Sequence, residues 1–281
     1  MLFCLRPRLR TEATRWGFAQ SIDVATSINT SCHTWIIIPA MNLTDFNTLS
    51  FDCYGTLIDW ETGILNAIRP LVEASEVART RDEILETFAR HESDQESKTP
   101  KMLYRDVLTE VHARIAAEWS TPASDADHRR FGVSVPDWPA FSDSAAALQY
   151  LKRYYTLVIL SNVDRASFAE SNIKLHVEFD HIFTAQDIGS YKPDPRNFDY
   201  LLTHLAKAGI QKVGILHTAE SLYHDHMPAN AINLASAWIY RRHAQGGFGA
   251  THPVANPPHY DFKFTSLAAM AQAHQDALKR P

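Results

Sequence analysis

Four short apolar runs set the rhythm of the chain from about residue 42 onward. Thr48-Leu49-Ser50-Phe51 stops at Asp52 and a Gly55-Thr56 turn, and Leu157-Val158-Ile159-Leu160 stops at Ser161-Asn162. Gly214-Ile215-Leu216 leads into His217, and Ala237-Trp238-Ile239-Tyr240 forms the fourth run. Runs that are apolar at consecutive positions, bounded by turn residues, predict strands buried on both faces. Helical stretches lie between them; Ser142 or Asp143 is placed to cap one that carries Ala147, Leu148 and Leu151. Strands alternating with helices predict a parallel sheet covered on both sides. The polar residues that close the runs (Asp52, Ser161, Asn162, His217) would then meet at the carboxyl edge of that sheet, where such folds bind ligands.

Residues 61 to about 137 break the alternation. Ile84, Leu85 and Phe88, then Leu103, Val107, Leu108, Val111, Ile115 and Trp119, recur at helical spacing with no strand signal between them. The expected organisation is an α/β, Rossmann-like three-layer core over 43–60 and 138–281, with an all-helical cap inserted at 61–137. No internal repeat is evident. Residues 1–42 read differently, with Arg6, Arg8, Arg10 and Arg15 set against only Glu12 and Asp23 among many Ser and Thr. This stretch is expected to be an extension outside the fold, with Met41 as an alternative start, or an Arg-rich mitochondrial transit peptide.

Composition narrows the function classes. Of 281 residues, 45% are hydrophobic and 21% charged, which suits a packed globular chain. A net charge of −5 argues against a nucleic-acid partner. No apolar run approaches the length of a membrane span. The three cysteines (Cys4, Cys32, Cys53) cannot build a disulfide framework. A cytoplasmic location is therefore expected, or a mitochondrial one if the N-terminal stretch is a transit peptide.

The sharpest chemical signal is Leu49-Ser50-Phe51-Asp52-Cys53-Tyr54-Gly55-Thr56-Leu57-Ile58-Asp59. A carboxylate at the end of a buried strand, followed by a glycine turn, faces the crevice from a rigid backbone, and the turn's N–H groups can face an anion. Ser161-Asn162 follows the second run, Tyr191-Lys192-Pro193-Asp194-Pro195 lies in a later loop, and Glu220 and Asp225 follow the third run. In this order the segments resemble the four motifs of the haloacid dehalogenase superfamily across residues 48 to 240. The stretch Asp52-Cys53-Tyr54-Gly55-Thr56-Leu57-Ile58-Asp59 is most similar to the type II 2-haloacid dehalogenases.

The resemblance implies a chemistry. Asp52 would attack the halogen-bearing carbon of a small 2-haloacid with inversion, and water would hydrolyse the resulting aspartyl ester to a 2-hydroxy acid. The superfamily's phosphatases carry Asp two residues after the nucleophile as a general acid. Tyr54 stands there instead, and a phenol is a poor proton donor at neutral pH, whereas a departing halide needs no proton. By resemblance Lys192 would hold Asp52 ionised, Ser161 would bind the substrate carboxylate, Asp225 would position the hydrolytic water and Arg90 would take the halide. Tyr54, Asn162 and Phe198 would complete the substrate wall. No cofactor is required on this reading, and a homodimer is possible.

Phe198 replaces the family's usual Tyr, and aligning Asp225 puts Glu220 and Leu222 at the dehalogenases' Ser and Asn positions. The acid-x4-acid spacing of Glu220 and Asp225, beside Asp52, keeps open a Mg²⁺-dependent phosphatase. A non-catalytic binding protein of the same fold is the third reading. His217, His224 and His226 are not expected to bind zinc, since His224 and His226 would point to different helix faces without a cysteine. Trp60 and Trp238 are expected to pack, as is Cys53, whose side chain alternates with that of Asp52.

Overall fold

The computed structural model describes residues 41–279. The expected N-terminal extension lies, but for Met41 and Asn42, outside the described residues. The first strand, β1 (Thr48–Phe51), is followed by four helices: α1 (Trp60–Ala74), α2 (Arg81–Lys98), α3 (Tyr104–Glu118) and α4 (Asp125–Gly132). The α/β alternation then resumes with α5 (Ser144–Leu151), β2 (Thr156–Ser161), α6 (Arg165–Ile173), β3 (His181–Thr184), α7 (Ala185–Ile188) and α8 (Arg196–Lys207). It closes with β4 (Ile215–Ala219), α9 (Met227–Ala231), β5 (Ser236–Ile239), β6 (Phe262–Phe264) and α10 (Leu267–Leu278).

The six strands form one parallel sheet in the order β3-β2-β1-β4-β5-β6. Alternation along β2 divides the core in two. Leu157 and Ile159 join Leu49, Phe51, Leu216 and Ile239 on one face, while Val158 and Leu160 pack with Phe198, Leu201 and Leu205 on the other. Among the described residues no helix is long and apolar enough to cross a membrane.

Two strands had no clear signal in the sequence. β3 carries the half-buried His181 and exposed Ile182, and β6 is a three-residue edge strand, so neither shows a continuous apolar run. Gly214 belongs to a 3₁₀ turn before β4 rather than to the strand, and Asn47 packs where a side chain there would be. Tyr240 lies just past β5.

The helical insertion leaves and re-enters the sheet at one point. Asp59 N–H donates to Pro139 O at 2.8 Å, and Ile58 bridges Ala140 in antiparallel fashion. Asp59 caps α1 by accepting from the Thr62 N–H and hydroxyl, and Thr80 with Glu83 forms a capping box for α2. On α2, Leu85, Phe88, Glu92 and Glu96 share the inward face, with Phe88 packed edge-on against Trp60.

Candidate active site

Asp52 is the first residue past β1, and its N–H extends the ladder by donating to Thr218 O at 3.1 Å. The chain then folds tightly: Leu57 and Ile58 N–H groups both donate to Cys53 O, at 2.7 and 3.0 Å. Gly55 makes this possible at φ +90°, where a Cβ would also lie 2.9 Å from Trp60 Nε1. The turn delivers Thr56, whose hydroxyl donates to Asp52 Oδ2 at 2.7 Å and accepts from the Glu220 N–H at 2.9 Å. The Asp52 carboxylate is thus fixed from its own loop.

Lys192 reaches Asp52 from the loop after α7. Its ammonium donates to Asp52 Oδ1 at 2.9 Å, to Asp225 Oδ1 at 2.7 Å and to Leu160 O at 3.0 Å. All three N–H bonds of the ammonium are therefore used. Asn162 holds the loop in place, accepting from Lys192 N–H at 2.7 Å and donating to Lys192 O at 3.1 Å. His217 Nε2 donates to Asp225 Oδ1 at 2.9 Å, which leaves Nδ1 to accept from the Ser50 hydroxyl, also at 2.9 Å.

Burial sets the electrostatics. It opposes ionisation of Asp225, but the Lys192 charge and the His217 hydrogen bond hold that carboxyl well below the usual range. Burial also opposes the Lys192 charge, yet the two aspartates outweigh it and raise the ammonium above an ordinary lysine. Burial raises Asp52, with Lys192 pulling it back and Asp225 pushing it up again. Asp52 is accordingly the more basic carboxylate of the pair.

Asp225 is delivered by a π-helical turn, Leu222–His226, in which the Asp225 and His226 N–H groups both donate to Ser221 O at 3.2 Å. The wide turn places Asp225 and its neighbour His224 on the same cavity. Asp225 Oδ2 and His224 Nε2 are buried and have no hydrogen-bond partner among the described residues. Burial pushes His224 down to about 4, so its ring is neutral.

These groups form the floor of a cavity of about 30 Å³. Its other wall comes from the insertion: Trp60 at the start of α1, Glu92 and Glu96 on α2, and Tyr104 on α3. The Tyr104 hydroxyl donates to Glu92 Oε1 at 2.5 Å, and Asn162 Nδ2 approaches both Glu96 oxygens at 3.4 and 3.3 Å. Burial pushes Glu92 up to about 8; burial and the neighbouring Glu92 push Glu96 well above the ordinary carboxylate value. A second cavity of about 260 Å³ shares Glu96, Lys192 and His224 with the first.

The structure gathers Asp52, Lys192, Asp225, Ser161, Asn162 and Tyr54 around this cavity. Ser161 is buried there with an unpartnered hydroxyl. Tyr54 turns its hydroxyl away to Ser171 Oγ at 2.8 Å, so it lends the cavity its ring rather than a proton.

Three expected residues are not brought in. Arg90 lies two positions from Glu92, roughly 200° around the helix, and forks onto Glu118 at 2.8 Å on the exposed side of α2. Phe198 is fully buried in the second core cluster, edge-on to His217, and does not line the cavity. Glu220 points its carboxyl at the Thr251 hydroxyl, 3.1 Å away, where burial pushes it up to about 8. Glu220 therefore does not join Asp52 and Asp225 as a Mg²⁺ donor set, and among the described residues no three His, Cys, Asp or Glu side chains are grouped to hold a metal ion. The histidines are likewise dispersed, with His226 bonded to Ser236 and Ala219 O.

Trp60 is a cavity residue as well as a packing one, whereas Trp238 stacks on Tyr240 under Lys263, away from the site. Glu92, Glu96, Tyr104 and His224 were not anticipated. The α2 pair had a signal: the stripe Leu85, Phe88 continues at helical spacing into Glu92 and Glu96, carboxyls on a face that must be buried.

Comparison with known proteins gives a family. The model of haloacid dehalogenase-like hydrolases matches residues 46–215, more than half of the chain. No curated relative matches by sequence. Among solved structures, the chain is similar to L-2-haloacid dehalogenase PA0810, with TM-score 0.65 and 19% identity over 83% of this chain and 100% of that one. The defluorinating L-2-haloacid dehalogenase Rha0230 gives 0.66 and 17% over 85% and 100%. L-2-haloacid dehalogenase from Xanthobacter autotrophicus gives 0.66 and 15% over 82% and 98%. At such identities the likeness is one of fold.

Proposed function

Because the chain belongs to the haloacid dehalogenase-like hydrolase family, we propose that it hydrolyses the carbon–halogen bond of a small 2-halo-substituted molecule through an ester on Asp52. Several of its structural neighbours are named for 2-haloacids, and the Xanthobacter autotrophicus enzyme has been solved with chloropropionic acid covalently bound. The observation that carries the reading is Asp52 itself, a buried carboxylate held by Lys192 and Thr56 and facing a small cavity. The phenol two residues on is aimed elsewhere, so that position offers no proton to a leaving group.

In this mechanism an Asp52 oxygen forms a bond to the halogen-bearing carbon, and the halide leaves with the electron pair of the broken bond. Water then adds to the Asp52 carboxyl carbon. The ester C–O bond breaks, the alcohol leaves with one water proton, and Asp52 keeps the water oxygen. Asp225 Oδ2 and neutral His224 Nε2, both buried without partners, hold that water and take its second proton. Lys192 balances Asp52 and Asp225 throughout. The insertion over 61–137 serves as a cap whose α2 and α3 side chains close the cavity.

The test is a single turnover in H₂¹⁸O, with EDTA present, of whichever of 2-chloropropionate and 2-chloropropionamide releases halide, followed by mass analysis of the peptide containing Asp52. Uptake of one ¹⁸O with halide release is expected. Halide release that leaves the peptide unlabelled overturns the covalent route.

A further inference from the structure

Glu92 and Glu96 stand one turn apart on α2, on the same face, and both line the cavity over Asp52. They are buried, at 3% and 4% exposure. The side chains bonded to them, Tyr104 and Asn162, are both neutral. Among the described residues Lys192 is the only lysine or arginine on the wall of this cavity, and its three N–H bonds go to Asp52, Asp225 and Leu160 O. Arg90 is held on the outer face by Glu118.

A substrate carboxylate entering here would find no free cation and would lie against two buried carboxyl groups. Removing an anion from water without a free counter-charge is strongly unfavourable, and the Asp52 and Asp225 carboxylates, two against the one Lys192 ammonium, add to that. The unpartnered Ser161 hydroxyl on the same wall points to a different ligand. It can donate to a carbonyl oxygen, while the glutamate oxygens accept from N–H groups on the other side.

Building on the covalent-aspartate reading above, we propose that Glu92 and Glu96 make this cavity select substrates whose polar end donates hydrogen bonds, an amide or an ammonium, and reject carboxylates. The amide keeps the carbonyl that activates the neighbouring carbon toward displacement, accepts from Ser161 and donates to Glu96. The ammonium donates to both glutamates. Burial raises both carboxyls, Lys192 pulls only Glu96 back, and among the described residues no cation is hydrogen-bonded to either until a ligand brings one.

Two measurements on the full chain test this. First, calorimetric binding of acetate, acetamide and ethylammonium reads the wall without any chemistry. Acetamide or ethylammonium is expected to bind at least tenfold tighter than acetate, with that preference reduced in Glu96→Gln and in Glu92→Gln. An ammonium ligand strengthens as pH rises through 8, where Glu92 ionises, whereas an amide is nearly indifferent. Second, halide release from chloroacetate, chloroacetamide and 2-chloroethylammonium should follow the same order in kcat/KM. Acetate binding as tightly as acetamide and ethylammonium, or a preference untouched by both substitutions, overturns the selectivity. Binding in the expected order without halide release from any substrate sustains the selectivity and overturns the carbon–halogen reading.

Discussion

On the core side of the cavity each carboxylate is hydrogen-bonded to a shared cation, while among the described residues neither carboxyl on the insertion side is. Asp52 and Asp225 share Lys192, and Asp225 adds His217. Glu92 and Glu96, at similar depth, have only a phenol and an amide. The consequence is visible in their acidities: Asp225 is held well below the usual carboxylate range and Glu92 is lifted to about 8. Buried acids of one cavity are thus separated into a compensated set, fit for ionic chemistry, and an uncompensated set, fit for meeting a ligand.

The largest effect that would break this comparison is loss of the acceptor. Asp52→Asn should lower kcat for halide release by about 10³-fold or more, since the other groups act only through it. Residual activity above a few per cent would move the chemistry elsewhere. Next, Lys192→Met leaves Asp52 and Asp225 facing each other without a cation. It should cost roughly 3–5 kcal/mol in urea unfolding, as removal of one partner of a buried ion pair does. A cost near zero would mean that the core side is not compensated by Lys192.

The wall makes a pH prediction with a definite sign. Unfolded, Glu92 ionises near its ordinary 4.5, whereas the folded chain keeps the proton to about 8. The folded state binds the extra proton in between, so stability falls as pH rises through that window. Glu92→Gln should remove part of the slope, raising Tm by roughly 3 °C or more at pH 8 and hardly at all at pH 4.5. Parallel Tm curves for the two proteins would show that Glu92 is ionised throughout. Smallest of all is Arg90→Ala. Its exposed pair with Glu118 is worth under about 1 kcal/mol, and kcat/KM should change less than about threefold. A large loss of activity would return Arg90 to the reaction.

The legibility of the two sides differed for the same physical reason. Asp52 and Ser161 sit at strand ends, where a sharp switch from apolar run to polar residue marks them, so they were readable together with the parallel sheet. Lys192, in the loop after α7, was reached only through the motif resemblance. Asp225 was likewise reached through the resemblance, as one of two candidates with Glu220, because the π turn that delivers it, and with it His224, has no apolar pattern to announce it. On the insertion side position depends on helix phase. Arg90 satisfied a residue type but not the phase, and Glu92 and Glu96 satisfied the phase but not the polarity usually read as buried. Phe198 shows the converse, an aromatic at a motif offset that the second core cluster absorbs. β3 and β6 escaped because half-exposed or three-residue edge strands carry little apolar signal.

Cys53 adjoins the residue proposed to be alkylated in every turnover, and a compound able to alkylate a carboxylate attacks thiolates more readily still. Its side chain packs into the apolar cluster beneath the sheet edge and is absent from the cavity wall, and burial pushes the thiol well above its ordinary value. The fold therefore keeps the more vulnerable atom protonated and out of reach, one residue from the proposed nucleophile. On the proposed chemistry, such burial spares the thiol the halide that reaches Asp52.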